Sequence, residues 1–145
     1  MIDNFNIKNK VIILTGGSGN LGSIYSEHLI SNGAIVCNFD LTEPKESKLF
    51  NKENYLFLKT DVTKKNEIYD SLNLVCKKFG SPSALINNAA LDSPPGDSEK
   101  INGPFEEYPE EAWDKVIDVN LKSIFLTCQL IGNEMVNSSG GSIIN

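Results

Sequence analysis

The chain has no arginine, and all 13 of its basic residues are lysines. They stand against 19 acids, for a formal net charge of -6 and a pI near 4.8. Binding to nucleic-acid phosphates needs clustered lysine and arginine, so no nucleic-acid partner is expected. Histidine is nearly as scarce. The single one, His28, sits mid-way along a helical pattern with no partner at a telling spacing, and reads as a surface or packing residue. The 3 cysteines, Cys37, Cys76 and Cys128, are odd in number and far apart, so they form neither a disulfide framework nor a metal knuckle. They read as small buried apolar residues in a reducing compartment, and no metal is expected. No apolar run approaches membrane-spanning length, and Met1 to Lys10 is polar, with no apolar segment of signal-peptide type. No membrane partner is expected, and the default location is cytoplasmic. Internal repeats and low-complexity stretches are also absent.

What is present suits one domain with a real core: 145 residues, 40% hydrophobic and 22% charged. Strand-like and helical patterns alternate, which favours an α/β parallel sheet covered on both faces. A strand is expected at Val11 to Leu14, then a helix from about Asn20 to Asn32 carrying Leu21, Ile24, Leu29 and Ile30 towards the sheet. Gly33 ends that helix in the left-handed conformation. A second strand, Ala34 to Phe39, ends at Asp40, and a polar connection with a turn or two of helix runs to Asn54. The third strand is Tyr55 to Thr60. Asp61 or Thr63 is placed to cap the helix Lys64 to Phe79, whose Ile68, Leu72 and Val75 share a face. A short strand, Ala84 to Ile86, leads into Asn87-Asn88-Ala89-Ala90. A long segment from Leu91 to Pro109 follows, with Phe105 and Tyr108 as residues that could fold it back onto the body. The chain ends with a helix from Pro109 to about Asn137 and a strand from Ser142 to Asn145.

The chemistry concentrates at Thr15 to Gly22, T-G-G-S-G-N-L-G, between the first strand and the first helix. Glycines let the backbone turn sharply and approach a ligand closely, and amides at a helix N-terminus face a pyrophosphate with the helix dipole behind them. A glycine turn without a ligand is the plainer reading of this octet taken alone. Asp40 strengthens the ligand reading. A carboxylate ending the second strand accepts hydrogen bonds from the ribose hydroxyls of an adenosine and repels a 2′-phosphate, which favours NAD over NADP. Asp61 could cap the next helix and also face the adenine.

In joint order and spacing, the octet at 15 to 22, Asp40, D-V-T at 61 to 63, N-N-A-A at 87 to 90 and D-V-N-L at 118 to 121 resemble the short-chain dehydrogenase/reductase family. The resemblance runs from about Lys8 to Asn145. It implies a Rossmann-type doubly wound parallel sheet and an NAD-dependent oxidoreductase that moves a hydride between nicotinamide and a small-molecule carbonyl or secondary alcohol. It implies cofactor contacts at Gly16, Ser18, Gly19, Asn20, Leu21, Gly22, Asp40, Asp61, Val62, Asn88, Ala89 and Ala90. Asn120 matches one member of a catalytic group of asparagine, serine, tyrosine and lysine, at a helix distortion that frees a backbone carbonyl. The outer face of the same helix matches a subunit interface, so a homo-oligomer is expected of the full-length protein.

Asn20 stands where the compact pattern T-G-x-x-x-G-x-G has its middle glycine. The octet also reads as T-G-x-x-G-x-x-G, the form of the extended branch of sugar-nucleotide enzymes, but N-N-A-A and D-V-N favour the compact branch. The family's serine and Tyr-x-x-x-Lys are not among the 145 residues. Tyr55 to Lys59 matches the latter as text, but in a strand those residues lie about thirteen ångströms apart. The expectation is therefore an incomplete NAD(P)-binding domain, residues 1 to 145, cut off after the fifth strand and inactive alone. A non-catalytic NAD-binding module is the alternative. A methyltransferase shares the glycine turn but has no use for N-N-A-A or D-V-N-L.

Overall fold

The computed structural model describes residues 6–44, 53–92 and 98–145. Five parallel strands, β1 (Val11–Thr15), β2 (Ile35–Asp40), β3 (Tyr55–Lys59), β4 (Ala84–Ile86) and β5 (Ser142–Ile144), form one sheet in the order β3-β2-β1-β4-β5. The run Val11-Ile12-Ile13-Leu14 is apolar throughout because β1 is central and buried on both faces. Val11 and Ile13 point into a core shared with Ile68, Leu72, Val75, Leu126, Ile131 and Met135. Leu14 points the other way, into a smaller core with Ile30, Val36 and Tyr55.

Helices fill the crossovers that parallel strands require. Helix α1 (Asn20–Ser31) lies between β1 and β2, and α2 (Lys65–Phe79) between β3 and β4. Between β4 and β5 come a short α3 (Ser98–Ile101), a 3₁₀ turn (Phe105–Glu107), α4 (Glu110–Ile117), a π-helical segment (Asp118–Lys122) and α5 (Ser123–Val136). Gly33, at φ 83°, ends α1 with its amide on Ile30 O and that of Ala34 on Leu29 O, the left-handed ending expected. Among the expected elements, part of the polar connection (45–52) and Pro94, Pro95 and Gly96 lie outside the described residues.

Three expectations need correcting. Leu21 and Ile24 do not face the sheet: they are 60% and 51% exposed, and the inward row of α1 is Gly22, Ser26 and Ile30, four residues apart, with Leu29 half-buried beside it. Small residues face the sheet here because the start of α1 packs directly onto the turn's backbone. Neither Asp61 nor Thr63 caps α2. Lys64 holds that position without a side-chain bond, and Glu67 reaches back to accept the Asp61 N–H (2.7 Å) while Asp61 Oδ1 accepts from the Thr63 N–H and Oγ1. Phe105 does not fold back either; it is 87% exposed, forming a shallow cleft of about 260 Å3 with Tyr108, Glu110 and Trp113.

Cys37 sits wholly inside β2, and burial pushes its thiol from an ordinary 9.0 up to about 12. The sign follows from proton binding. Below pH 9 both the folded and the unfolded chain keep the proton; between about 9 and 12 only the folded chain does, so this contribution to stability is lost as pH rises through that window. Unfolding free energies from urea titrations at pH 8 to 11 are expected to fall more steeply in the native chain than in Cys37→Val, by up to about 1.4 kcal/mol per pH unit. Parallel slopes would show that the thiol is not held neutral.

Candidate functional site

The carboxyl ends of all the strands open at one edge, since the sheet is wholly parallel. The chain winds from β1 out to β3, then returns to place β4 on the other side of β1. The crevice left at that reversal is where such sheets hold ligands. A cavity of about 670 Å3 lies there. It is lined by Gly16, Ser18, Gly19, Asn20, Leu21 and Gly22 from the first turn, Asp40 from β2, Asp61 and Val62 after β3, and Asn88, Ala89 and Ala90 after β4. All the residues read from the sequence as cofactor contacts thus share one concavity, along with the unanticipated Thr42, Leu91 and Val119. Asn120 is not in the lining.

The turn is shaped by backbone packing. Gly16 takes φ 66° and donates its N–H to Phe39 O (2.9 Å), and a Cβ on it would lie 2.8 Å from the Ala89 Cα. Gly22 packs its Cα against the Gly16 carbonyl, so any side chain there would overlap that oxygen. Gly19, at the N-cap of α1, has no side chain to bond the first-turn amides, and that turn carries no acid. No side-chain cap or acid therefore meets those amides, an arrangement of the kind that suits an anion.

Behind the turn is a residue that sequence reasoning missed. Asn38 in β2 is fully buried and uses three hydrogen bonds: its Oδ1 accepts the Gly17 N–H (2.8 Å), and its Nδ2 donates to Ser18 Oγ (3.0 Å) and Tyr55 Oη (3.0 Å). A polar residue in the middle of a doubly covered apolar strand was the available signal, because a buried amide must be hydrogen-bonded. Burial raises the Tyr55 phenol above its ordinary 10.0, the Asn38 bond opposing and the Asp40 charge adding to the rise. Tyr55 and Lys59 lie along β3, where Tyr55 pairs with Val36 and Lys59 with Asp40.

The two acids differ in their engagement. Asp40 accepts the Ser18 N–H on Oδ2 (2.9 Å) and the Thr42 N–H on Oδ1 (3.1 Å), so it joins the end of β2 to the glycine turn. Asp61 spends Oδ1 on Thr63.

On the β4 side, Thr15 Oγ1 accepts the amides of Asn88 and Ala89 (both 3.0 Å), and Asn88 Nδ2 donates to the carbonyls of Thr15 and Gly16 (both 3.0 Å). The Asn88 side chain therefore braces the turn from within the wall of the cavity. Asn120 lies in the π-helical segment, and its amide grips the Leu91 backbone in both directions, accepting the N–H (2.7 Å) and donating to the carbonyl (3.0 Å). Ser123 Oγ donates to Val119 O at the same widened turn. Such interruptions of a helix concentrate at functional sites. Among the described residues no cluster could hold a metal ion, and no helix is long and apolar enough to cross a membrane.

The strand order and the glycine turn at the switch point place the chain among the doubly wound α/β proteins of Rossmann type. The family model described as short chain dehydrogenase matches residues 10–145, and the chain belongs to that family of oxidoreductases. It is 33% identical to an NAD-dependent glycerol dehydrogenase of Listeria innocua, over 97% of this chain and 53% of that protein. It is 30% identical to a sorbitol-6-phosphate 2-dehydrogenase of Klebsiella pneumoniae, over 97% of this chain and 52% of that protein. A short chain dehydrogenase from Leptospira borgpetersenii, solved with bound NAD+, superposes with a TM-score of 0.84 at 27% identity, over 99% of this chain and 54% of that one. The chain thus spans about half the length of the curated relatives it matches.

Proposed function

We propose that this chain is the NAD-binding part of a short-chain dehydrogenase that interconverts a small carbonyl compound and its secondary alcohol. The reading is carried by one observation: residues scattered from Gly16 to Ala90, each picked out by motif, line a single cavity at the switch point. In this reading the amides opening α1 receive the diphosphate. Asp40 takes the adenosine ribose hydroxyls on its remaining lone pairs and rejects a 2′-phosphate, while Asp61 and Val62 meet the adenine. Asn88, Ala89 and Ala90 form the opposite wall. When bound, the nicotinamide supplies the hydride donor or acceptor. Asn120 joins the catalytic group through the helix it distorts and the Leu91 backbone it fixes at the cavity's edge.

A polyol or sugar substrate is proposed from what the glycerol and sorbitol-6-phosphate enzymes are named for. Trp113, Leu121 and Phe125, all exposed and spaced in multiples of four along α4 to α5, are proposed as a face for a second copy. The setting proposed is cytoplasmic. The serine and helical Tyr-x-x-x-Lys of the family chemistry are not among these 145 residues, so the chain is proposed to bind NAD without turning it over.

Calorimetric titration tests the cofactor. NAD is expected to bind, with NADP weaker by about tenfold or more, a difference of ~1.4 kcal/mol. S-adenosylmethionine is expected to give no heat. Silence with NAD, or a preference for the methyl donor, would sink this reading; turnover of any alcohol by this polypeptide alone would remove the claim of inactivity.

A further inference from the structure

We infer that Asn38 is a positioning residue for the dinucleotide: it never lines the cavity, yet its buried side chain fixes the direction of the peptide groups that form the cavity's floor. The inference deepens the proposed NAD site and rests on that reading. Gly17 is the one residue of the octet's glycines that does not line the cavity, and its amide points backwards onto Asn38 Oδ1 at 2.8 Å. Ser18, next along, is tied twice to the end of β2, by its N–H on Asp40 and by its Oγ donating to Thr42 O (2.6 Å), and Asn38 Nδ2 donates to that same Oγ. The Gly17 amide is thus drawn behind the turn, and the Ser18 amide is held on Asp40, which lines the cavity. A peptide plane is rigid, so fixing where the N–H of Gly17 points also fixes the carbonyl of Gly16 in the same plane. That carbonyl accepts from Asn88 Nδ2 and from the Gly19 N–H (3.2 Å), and Gly22 packs against it. The chain of contacts runs from Asn38 through one peptide group to the first turn of α1.

Packing shows that the fit is close. A methyl on Gly17 would overlap the Asn38 amide, with Nδ2 3.1 Å away and Cγ 2.6 Å away. A glycine is needed at 17 because Asn38 fills the space behind it. Tyr55 Oη holds the far side of the same amide, so the side chain cannot rotate without giving up a bond.

Three measurements on the full chain test this. Amide hydrogen exchange, read without ligand, is expected to show the Gly17 N–H protected in the native chain and exchanging about tenfold faster or more in Asn38→Ala. NMR titration is expected to show affinity for ADP falling about tenfold in that variant while adenosine, which lacks the diphosphate, changes less than about twofold. The double variant Gly17→Ala with Asn38→Ala is expected to unfold later than Gly17→Ala alone, because the methyl enters the emptied space, and still to bind ADP weakly. ADP binding unchanged in a folded Asn38→Ala would overturn the inference, as would rapid exchange at Gly17 in the native chain. Equal loss of ADP and adenosine would reduce Asn38 to a general packing residue and also overturn it. A native chain that binds neither nucleotide, with Gly17 still protected through Asn38, would overturn the dinucleotide reading instead, leaving only the hold on the turn.

Discussion

Gly22→Ala is expected to cost about 2 kcal/mol or more of stability and to weaken NAD binding by ~100-fold, the upper range for forcing one carbon into a packed contact. The reason is that the atom in its way is backbone. A Cβ at position 22 would overlap the Gly16 carbonyl oxygen and lie 2.6 Å from the Gly17 Cα, and neither can rotate aside like a side chain. Relief would come only from lifting the N-terminus of α1 off the turn, which moves the amides away from the place where the diphosphate is proposed to lie. Gly19→Ala provides the contrast. Its φ of -74° suits any residue, and the nearest atom to its Cβ would be Gly16 O at 3.4 Å, an ordinary contact. The methyl would instead stand on the cavity lining. Gly19→Ala should therefore keep a near-native urea midpoint while losing NAD affinity, whereas Gly22→Ala loses both. Equal midpoints for Gly22→Ala and the native chain would show that the helix start is not pressed onto the turn.

The contrast between these glycines marks how much of the site the sequence could reveal. Spacing and residue type indicated which positions line the one cavity, and the apolar run Val11 to Leu14 indicated a strand covered on both faces. Orientation within α1 was hidden, because a pattern argument puts the largest apolar residues inward. This helix approaches so closely that Gly22 and Ser26 take those places and Leu21 and Ile24 face out. Asn38 was hidden for a related reason: its meaning depends on partners, Gly17, Ser18 and Tyr55, that only the register of β2 against β1 and β3 brings together. The cap expected of Asp61 or Thr63 was wrong: Asp61 bonds Thr63 and gives its N–H to Glu67, and these bonds stabilise the turn ahead of α2 rather than cap the helix, through a Glu67 contact that no pattern in the sequence signalled. Asn120 could be placed at a helix distortion by resemblance alone, and no pattern in the sequence pointed to Leu91 as its partner.

Two substitutions at Asp40 should separate its charge from its bracing. The carboxylate accepts the Ser18 N–H on one oxygen and the Thr42 N–H on the other, so it holds the turn as well as facing the cavity. Asp40→Asn keeps one carbonyl acceptor and removes the charge that repels a 2′-phosphate. Its expected result is a narrowing of the NAD to NADP affinity ratio by about fivefold, the ~1 kcal/mol that unit charges a few ångströms apart exchange in a water-like medium. Asp40→Ala removes both acceptors and leaves the Ser18 amide without a protein partner. Hydrogen bonds to a charged group contribute about 1.5–3 kcal/mol each, so NAD affinity is expected to fall by ten- to a hundredfold, with NADP gaining no advantage because the turn proposed to carry the diphosphate has loosened too. Parallel titrations of both dinucleotides on both variants decide the matter. If Asp40→Asn and Asp40→Ala behave alike, the bracing bonds are incidental and charge alone sets the preference. If neither changes the ratio, the adenosine ribose does not lie at the end of β2, and the cofactor's orientation in the cavity must be reassigned.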